Sequence, residues 1–107
     1  IAGLLNLRGK IVPVIDLRTF LEFPPASSGI KKINIIVDIK NEWYCFLVDQ
    51  LLDVTAYNSH QLTPPSNALP DVITGVLPTT NNLIHFLSPE KILKRLLETR
   101  TRTLSVG

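Results

Sequence analysis

The sequence predicts a mostly β domain, a small barrel or a pair of small barrels closed by one helix, and three observations carry that prediction. Short apolar runs bounded by turn residues recur along the chain, at 11–17, 31–39, 43–48, 72–78 and 83–87. Lys40-Asn41-Glu42 separates the second run from the third, and Thr79 to Asn82 the fourth from the fifth, so each pair reads as a hairpin. Helical spacing of apolar residues is confined to about 17–22 and 89–98. Five or six short strands with this punctuation fit a barrel architecture.

The elements follow in order. In the run at 11–17, Ile11, Pro13, Ile15 and Leu17 share one face and Val12, Val14 and Asp16 the other. Both faces are largely apolar, which predicts burial on both sides. Pro13 cannot donate to a ladder, so it belongs at an edge or a bulge. Leu17, Phe20 and Leu21 recur at helical spacing, and Asp16 stands where it can cap that short helix. Phe23 to Gly29, with two prolines, two serines and a glycine, is a loop. Ile33, Ile35, Val37 and Ile39 line one face of the next strand, and Trp43 to Val48 is its hairpin partner. Leu51, Leu52 and Val54 suggest a further short strand or turn. Tyr57 to Leu69 is the longest irregular stretch and reads as a surface crossing.

The run at 72–78 contains Gly75, which marks a bulge or a close approach. Leu83 to Leu87 returns antiparallel to it. A helix start follows: Ser88 suits the N-cap, Pro89 the first helical position, and Glu90 the positive end of the dipole. Lys91 stands where a capping box would need Glu or Gln. Ile92, Leu93, Leu96 and Leu97 form one apolar stripe over 89–98. The stripe ends there, so the domain is expected to occupy 1–98, with 99–107 as a flexible tail.

Composition narrows the function classes. Apolar residues at 45% and charged residues at 19% are globular proportions. A net charge of +2 is too small to argue for a nucleic-acid partner. The basic residues near the end, Lys91, Lys94, Arg95, Arg100 and Arg102, read as a solvated helix face. No apolar stretch has the length of a membrane span, and Arg8 and Lys10 interrupt the opening run too early for a signal peptide. Cys45 is the only cysteine, so an internal disulfide is impossible, which suits a reducing cytoplasm. The chain begins at Ile1, which reads as a piece of something longer.

Residues that could carry chemistry are few. His60 lies in the irregular stretch as an exposed polar residue, and His85 inside an apolar strand in a structural role. Their spacing does not suit a metal, and one cysteine cannot complete a zinc site. Cys45 alternates with Trp43 and Leu47 on one strand face and reads as a buried thiol. Asp16, Asp38, Asp49 and Asp53 fall on different elements, and spacing alone assembles no acid/base pair from them. No phosphate loop or nucleophile elbow is present. No enzyme activity and no cofactor are expected.

The strongest motif is Asn6-Leu7-Arg8-Gly9-Lys10-Ile11-Val12-Pro13-Val14-Ile15-Asp16-Leu17-Arg18, a polar turn, an apolar strand with an internal proline, and a helix start. Phe46-Leu47-Val48-Asp49-Gln50-Leu51, Val72-Ile73-Thr74-Gly75-Val76 and Leu83 to Leu93 follow it. In residue type and order these runs resemble the CheW-like domain family of bacterial chemotaxis. The chain departs from the family pattern at Cys45, where glycine is usual, and at Ser88-Pro89-Glu90, where an Asp-containing helix start is usual.

The resemblance implies two SH3-like β-barrels and a non-catalytic, cytoplasmic adaptor. One surface would bind the regulatory domain of a CheA-type histidine kinase, and another the cytoplasmic tip of a chemoreceptor. Asn6, Arg8 and Gly9 match the family's Asn-Leu-Arg-Gly turn, near its receptor-facing surface. A turn arginine with purely local hydrogen bonds is the competing reading of Arg8. The family ordinarily carries an N-terminal hairpin and helix before this turn, so the first barrel is expected to be incomplete. The 11–17 strand would then lie at an open edge and favour self-association, unless Ile1 to Leu5 fold back over it. A regulatory domain of a CheA kinase or a CheV protein stays within the family. A small ligand-binding barrel is the alternative outside it and would need polar groups converging in a pocket.

Overall fold

The computed structural model describes residues 2–25, 27, 29 and 31–106, with side chains as far as residue 98. It has six strands in two sheets and a C-terminal helix. The chain divides into two compact units, Ile1–Val54 and Thr55–Gly107, each with its own sheet. This is the mostly β, two-part architecture expected from the sequence.

The first unit contains β1 (Gly3–Leu7), β2 (Lys10–Asp16), the short helix α1 (Leu17–Phe20), β3 (Ile33–Ile39) and β4 (Glu42–Val48), in the sheet order β1-β2-β4-β3. Two tight hairpins are joined by one parallel pairing. Arg8 and Gly9, at φ 51° and 79°, link β1 to β2, and Lys40 and Asn41, at φ 53° and 66°, link β3 to β4. Positive φ at both central residues gives a turn whose twist matches the flanking strands. A Cβ added at Gly9 would meet nothing within 4 Å, so glycine serves the backbone angle there and not the space. The Asn41 N–H donates to Asp38 Oδ1 at 3.0 Å and ties the second turn to its strand.

Of the two outcomes expected for the 11–17 strand, the open edge is corrected and the fold-back is the one found, with Gly3–Leu7 paired along it. β2 has β1 antiparallel on one side and β4 parallel on the other. Self-association through an open β2 edge therefore loses its premise. Gly3–Leu7 has no apolar/polar alternation and so gave no strand signal; its pairing with β2 makes it one. Pro13 fits inside this central strand for a geometric reason. The Val14 carbonyl accepts from the Ala2 N–H at 2.7 Å, so Val14 faces β1 and the Pro13 nitrogen faces β4. Pairing with β4 begins only at Val14↔Cys45 and runs to Asp16↔Leu47. The missing N–H thus falls just outside the ladder.

Val12, Ile15, Cys45 and Phe46 are buried, with Ile15 opposite Phe46 across the parallel pairing. Ile11, expected to share the fate of Ile15, is 62% exposed. Cys45 is the buried thiol expected: its Sγ donates to Asn34 Oδ1 at 3.3 Å, and burial pushes its pKa up. Leu51, Leu52 and Val54 form no strand and are exposed.

The second unit contains one 3-10 turn (Ser59–Gln61), β5 (Ile73–Pro78), β6 (Leu83–Leu87) and α2 (Pro89–Val106). β5 pairs antiparallel with β6, and the register shifts between Ile73 and Gly75, at the bulge the glycine marks. Thr63 and Val76 exchange backbone hydrogen bonds of 2.8 and 2.9 Å, so β5 is also held on its other side. Tyr57 meets Phe86 edge to face, with centroids 5.0 Å apart. His85 lies within the apolar strand β6, as expected, with its side chain exposed; His60 is exposed, as expected.

Ser88 starts α2 as its residue type suggests. Its Oγ accepts from the Lys91 N–H at 3.2 Å, and its own N–H donates to the Val72 carbonyl at 2.9 Å. The helix then runs beyond 98 to Val106, through most of the segment expected to be a tail. Residues 99–106 contain neither glycine nor proline, so nothing in them breaks the i→i−4 ladder where the apolar stripe ends. Val72, Val76, Leu77 and Ile92 are the buried apolar residues of this unit.

Candidate functional site

The β1–β2 hairpin places the three expected site residues along one projecting element. Arg8 and Gly9 form its tip, and both are exposed. Asn6 sits one step down β1, opposite Ile11 of β2. Strand alternation puts Leu4 and Asn6 on the same face, with Ile11 and Pro13 across from them. Leu4 is 70% exposed and Ile11 62%, so this face is apolar and open, while Val12 on the opposite face is buried. Among the described residues, Arg8 makes no side-chain hydrogen bond, which leaves the guanidinium at the tip available to a partner. Exposed aliphatic side chains rimmed by a cation are a common composition for a protein-binding patch.

A cleft of about 440 Å³ adjoins this face, where β2 and β4 diverge before their pairing begins. Ile11 and Pro13 line one wall, Trp43 and Tyr44 the other. Lys10 Nζ bridges the mouth, 4.1 Å from the centroid of the Trp43 ring. The Tyr44 hydroxyl donates to Glu42 Oε2 at 2.9 Å, and burial and that carboxylate raise its pKa. Sequence reading missed this cleft, because it exists only where two strands distant in sequence part company.

Behind the hairpin, the structure joins the two strongest motif runs. Arg18 Nε and Nη2 both donate to Asp49 Oδ2, at 3.0 and 2.7 Å, and Nη1 donates to the Pro24 carbonyl at 2.6 Å. The hydrogen bond that Arg18 donates to Asp49 raises the Arg18 pKa. The parallel register explains the meeting. Asp16 lies opposite Leu47, so Arg18 and Asp49, each two residues on, leave the sheet at the same end. Both residues stand in the quoted runs, but only the parallel pairing reveals that they meet.

Asp16 caps α1, as expected. Its Oδ1 accepts from the Arg18 and Thr19 N–H groups at 3.0 and 3.4 Å, and Lys32 Nζ donates to Oδ2. The Lys32 hydrogen bond, with help from the capping N–H groups, holds the Asp16 carboxyl below the usual carboxylate range against an opposing effect of burial. Asparagine at this position keeps an oxygen for the cap and loses the ion pair. Asp16→Asn should therefore cost about 0–1 kcal/mol at neutral pH, and Asp16→Ala about 1 kcal/mol more through loss of the cap.

The sign with pH follows from the lowered value. The ionised form is favoured in the folded state, so this stability is present above the unfolded carboxyl value of about 3.9. It is lost as pH falls through the lower folded value. Urea unfolding at neutral and acid pH checks both statements: the gap between wild type and Asp16→Asn should close on acidification. A gap that persists or widens would contradict the assignment.

Among the described residues, no group of three His, Cys, Asp or Glu side chains gathers to hold a metal, and no helix is long and apolar enough to cross a membrane. What the site offers is a hairpin with an exposed cation, an apolar face and an aromatic cleft beside it.

Comparison with known proteins matches residues 1–97 to the CheW-like domain. The chemotaxis protein CheW of Thermotoga maritima is 32% identical over 98 residues, which is 90% of this chain and 64% of that protein. CheW of Bacillus subtilis is 28% identical over 99 residues, covering 89% of this chain and 64% of that protein. The crystal structure of the scaffolding protein TtCheW from Thermoanaerobacter tengcongensis superposes with a TM-score of 0.71 at 27% identity, covering 82% of this chain and 62% of that one. The chain thus spans somewhat under two thirds of the length of these relatives.

Proposed function

The chain belongs to the CheW-like domain family, and on that premise we propose that it is a non-catalytic adaptor of chemotaxis signalling. It couples the regulatory domain of a CheA-type histidine kinase to the cytoplasmic tip of a chemoreceptor, and it works in the cytoplasm. Arg8 at the hairpin tip, with Gly9 shaping the turn and Asn6 beside it, contacts the receptor. The observation that carries this reading is the hairpin itself. The motif most specific to the family forms a hairpin with an exposed tip and an open apolar face.

Binding rather than catalysis suits that composition. Aliphatic and aromatic surface supplies area removed from water, and the cation supplies orientation and selectivity. An interface of this kind needs no cofactor, and a patch of this size suits a transient contact.

Calorimetric titration of the full-length protein against an isolated CheA regulatory domain, and separately against a receptor-tip fragment, tests the proposal. Saturable complexes in the micromolar range are the expected result. Absence of heat and of complex with both partners at high micromolar concentration would overturn it.

A further inference from the structure

The outer edge of β3 is open. In the order β1-β2-β4-β3 it is an end strand, and among the described residues no strand other than β4 pairs with it. Ile33–Ile39 lacks the features that usually guard an edge. It contains no proline, lysine or arginine, and its register with β4 is unbroken from Ile33↔Val48 to Ile39↔Glu42. The nearest cations stand outside it: Lys32 Nζ is held by Asp16 Oδ2, and Lys40 lies in the hairpin turn at φ 53°.

The strand is also complementary to itself. Ile-Asn-Ile-Ile-Val-Asp-Ile shows the same order of apolar and polar residues from either end, with Ile36 at its centre. Two copies laid antiparallel about a two-fold axis at Ile36 would set Ile36 opposite Ile36, Ile35 opposite Val37, Ile33 opposite Ile39 and Asn34 opposite Asp38. Side chains then stay on matching faces, and the one charge in the strand meets an amide and not its own copy. Asn34 Oδ1 accepts from Cys45 Sγ, which leaves Nδ2 to donate across the axis. Asp38 Oδ1 accepts from the Asn41 N–H, which leaves Oδ2 to accept.

The backbone favours the same register. The two-residue turn makes Ile39 and Glu42 a hydrogen-bonded pair, so Ile33, Ile35, Val37 and Ile39 direct their N–H and C=O groups at β4. Asn34, Ile36 and Asp38 direct theirs outward. These are the residues that would pair across the axis, as Ile36 with Ile36 and as two Asn34–Asp38 pairs. Each pair exchanges two hydrogen bonds, about six in all. Ile36, 40% exposed, would be covered at the centre.

From this we propose that β3 is a homodimer edge, to which a second copy of the chain adds its own β3 antiparallel about Ile36 to make one continuous sheet. The contact is isologous and closes on itself, so it gives a dimer and not a filament. It lies at the opposite edge of the sheet from β1, and it stands whether or not the adaptor reading holds.

Sedimentation equilibrium of the intact protein, from low to high micromolar concentration, should show a monomer–dimer equilibrium. Ile36→Lys sets like charges against each other at the axis and should weaken the dimer at least about tenfold, with unchanged circular dichroism. Cross-linking reads the register. Paired residues with Cα atoms about 5.5 Å apart lie within disulfide range, so Ile36→Cys should link to itself under mild oxidation. Asn34→Cys should link to Asp38→Cys in a mixture of the two variants and not to itself. The native Cys45 is buried and stays silent, and Leu97→Cys, exposed on α2, is the unlinked control. Three results would overturn the proposal: a monomer at every concentration, a dimer that Ile36→Lys leaves intact, or Asn34→Cys linking to itself as readily as Ile36→Cys does.

Discussion

Replacing Ile92 by alanine should lower the unfolding free energy by about 2–5 kcal/mol, the range for removing a fully buried Leu, Ile or Met side chain. Ile92 is 1% exposed and is the largest of the fully buried side chains. It stands at the point where α2 is fixed. Its N–H donates to the Ser88 carbonyl at 3.0 Å, and Ser88 is held in turn by the carbonyl of the equally buried Val72. A helix start tied to the backbone on both sides cannot slide inward to fill the space, so most of the cavity term is retained. Leu97, 59% exposed on the same helix, provides the control, and its truncation should change stability by about 0.5 kcal/mol or less. Urea unfolding followed by circular dichroism reads both. A loss under about 1 kcal/mol for Ile92→Ala would mean that the site collapses easily and does not anchor the unit.

Arg8→Glu should weaken binding of the receptor tip by about tenfold or more while leaving the melting temperature unchanged. Reversing a charge at an interface rim acts on association and specificity, whereas exposed positions free of internal partners tolerate substitution with little change in stability. The turn backbone supports the separation of the two effects. Arg8 is already at φ 51°, so a glutamate there meets the same backbone angle and removes no hydrogen bond described for the arginine side chain. Gly9, at φ 79°, retains the turn. Titration calorimetry and thermal unfolding of the same preparation separate the outcomes. A variant that loses several degrees of melting temperature would make Arg8 a structural turn residue and move the binding surface elsewhere. A stable variant with full receptor affinity would place the contact on the Leu4–Ile11 face or the cleft and not at the tip.

Local chemistry by itself determined much of this protein. Asp16 and Ser88 cap their helices because a short oxygen-bearing side chain before an apolar run satisfies N–H groups a few residues on. Asn41 and Gly9 mark two-residue hairpin turns because few residue types accept positive φ. Gly75 marks the register shift in β5, as a glycine inside a strand pattern does. The alternation in 33–39 predicted which residues of β3 face inward, and Ile33, Ile35, Val37 and Ile39 are the half-buried ones. Each of these inferences depends on residues within a few positions of one another, and the runs that hold Gly9, Asp16 and Gly75 also carried the likeness to the family. The end of an apolar stripe is a weaker signal, since it says where burial stops and not where a helix stops; α2 accordingly outlasts the expected 98.

Tertiary structure alone decided the rest. β1 is a strand because the Arg8–Gly9 turn folds it against β2, and no alternation in Gly3–Leu7 could announce that. The parallel pairing of β2 with β4 joins segments about thirty residues apart, and from it follow the Arg18–Asp49 pair, the tolerance for Pro13 and the cleft beside Trp43. Ile11 and Ile15 have the same chemistry and the same strand parity, yet one is open and the other buried. Composition and spacing say that a side chain is apolar. Whether it is covered depends on which strand lies across from it, and that contact is set by the sheet and not by the neighbours in sequence.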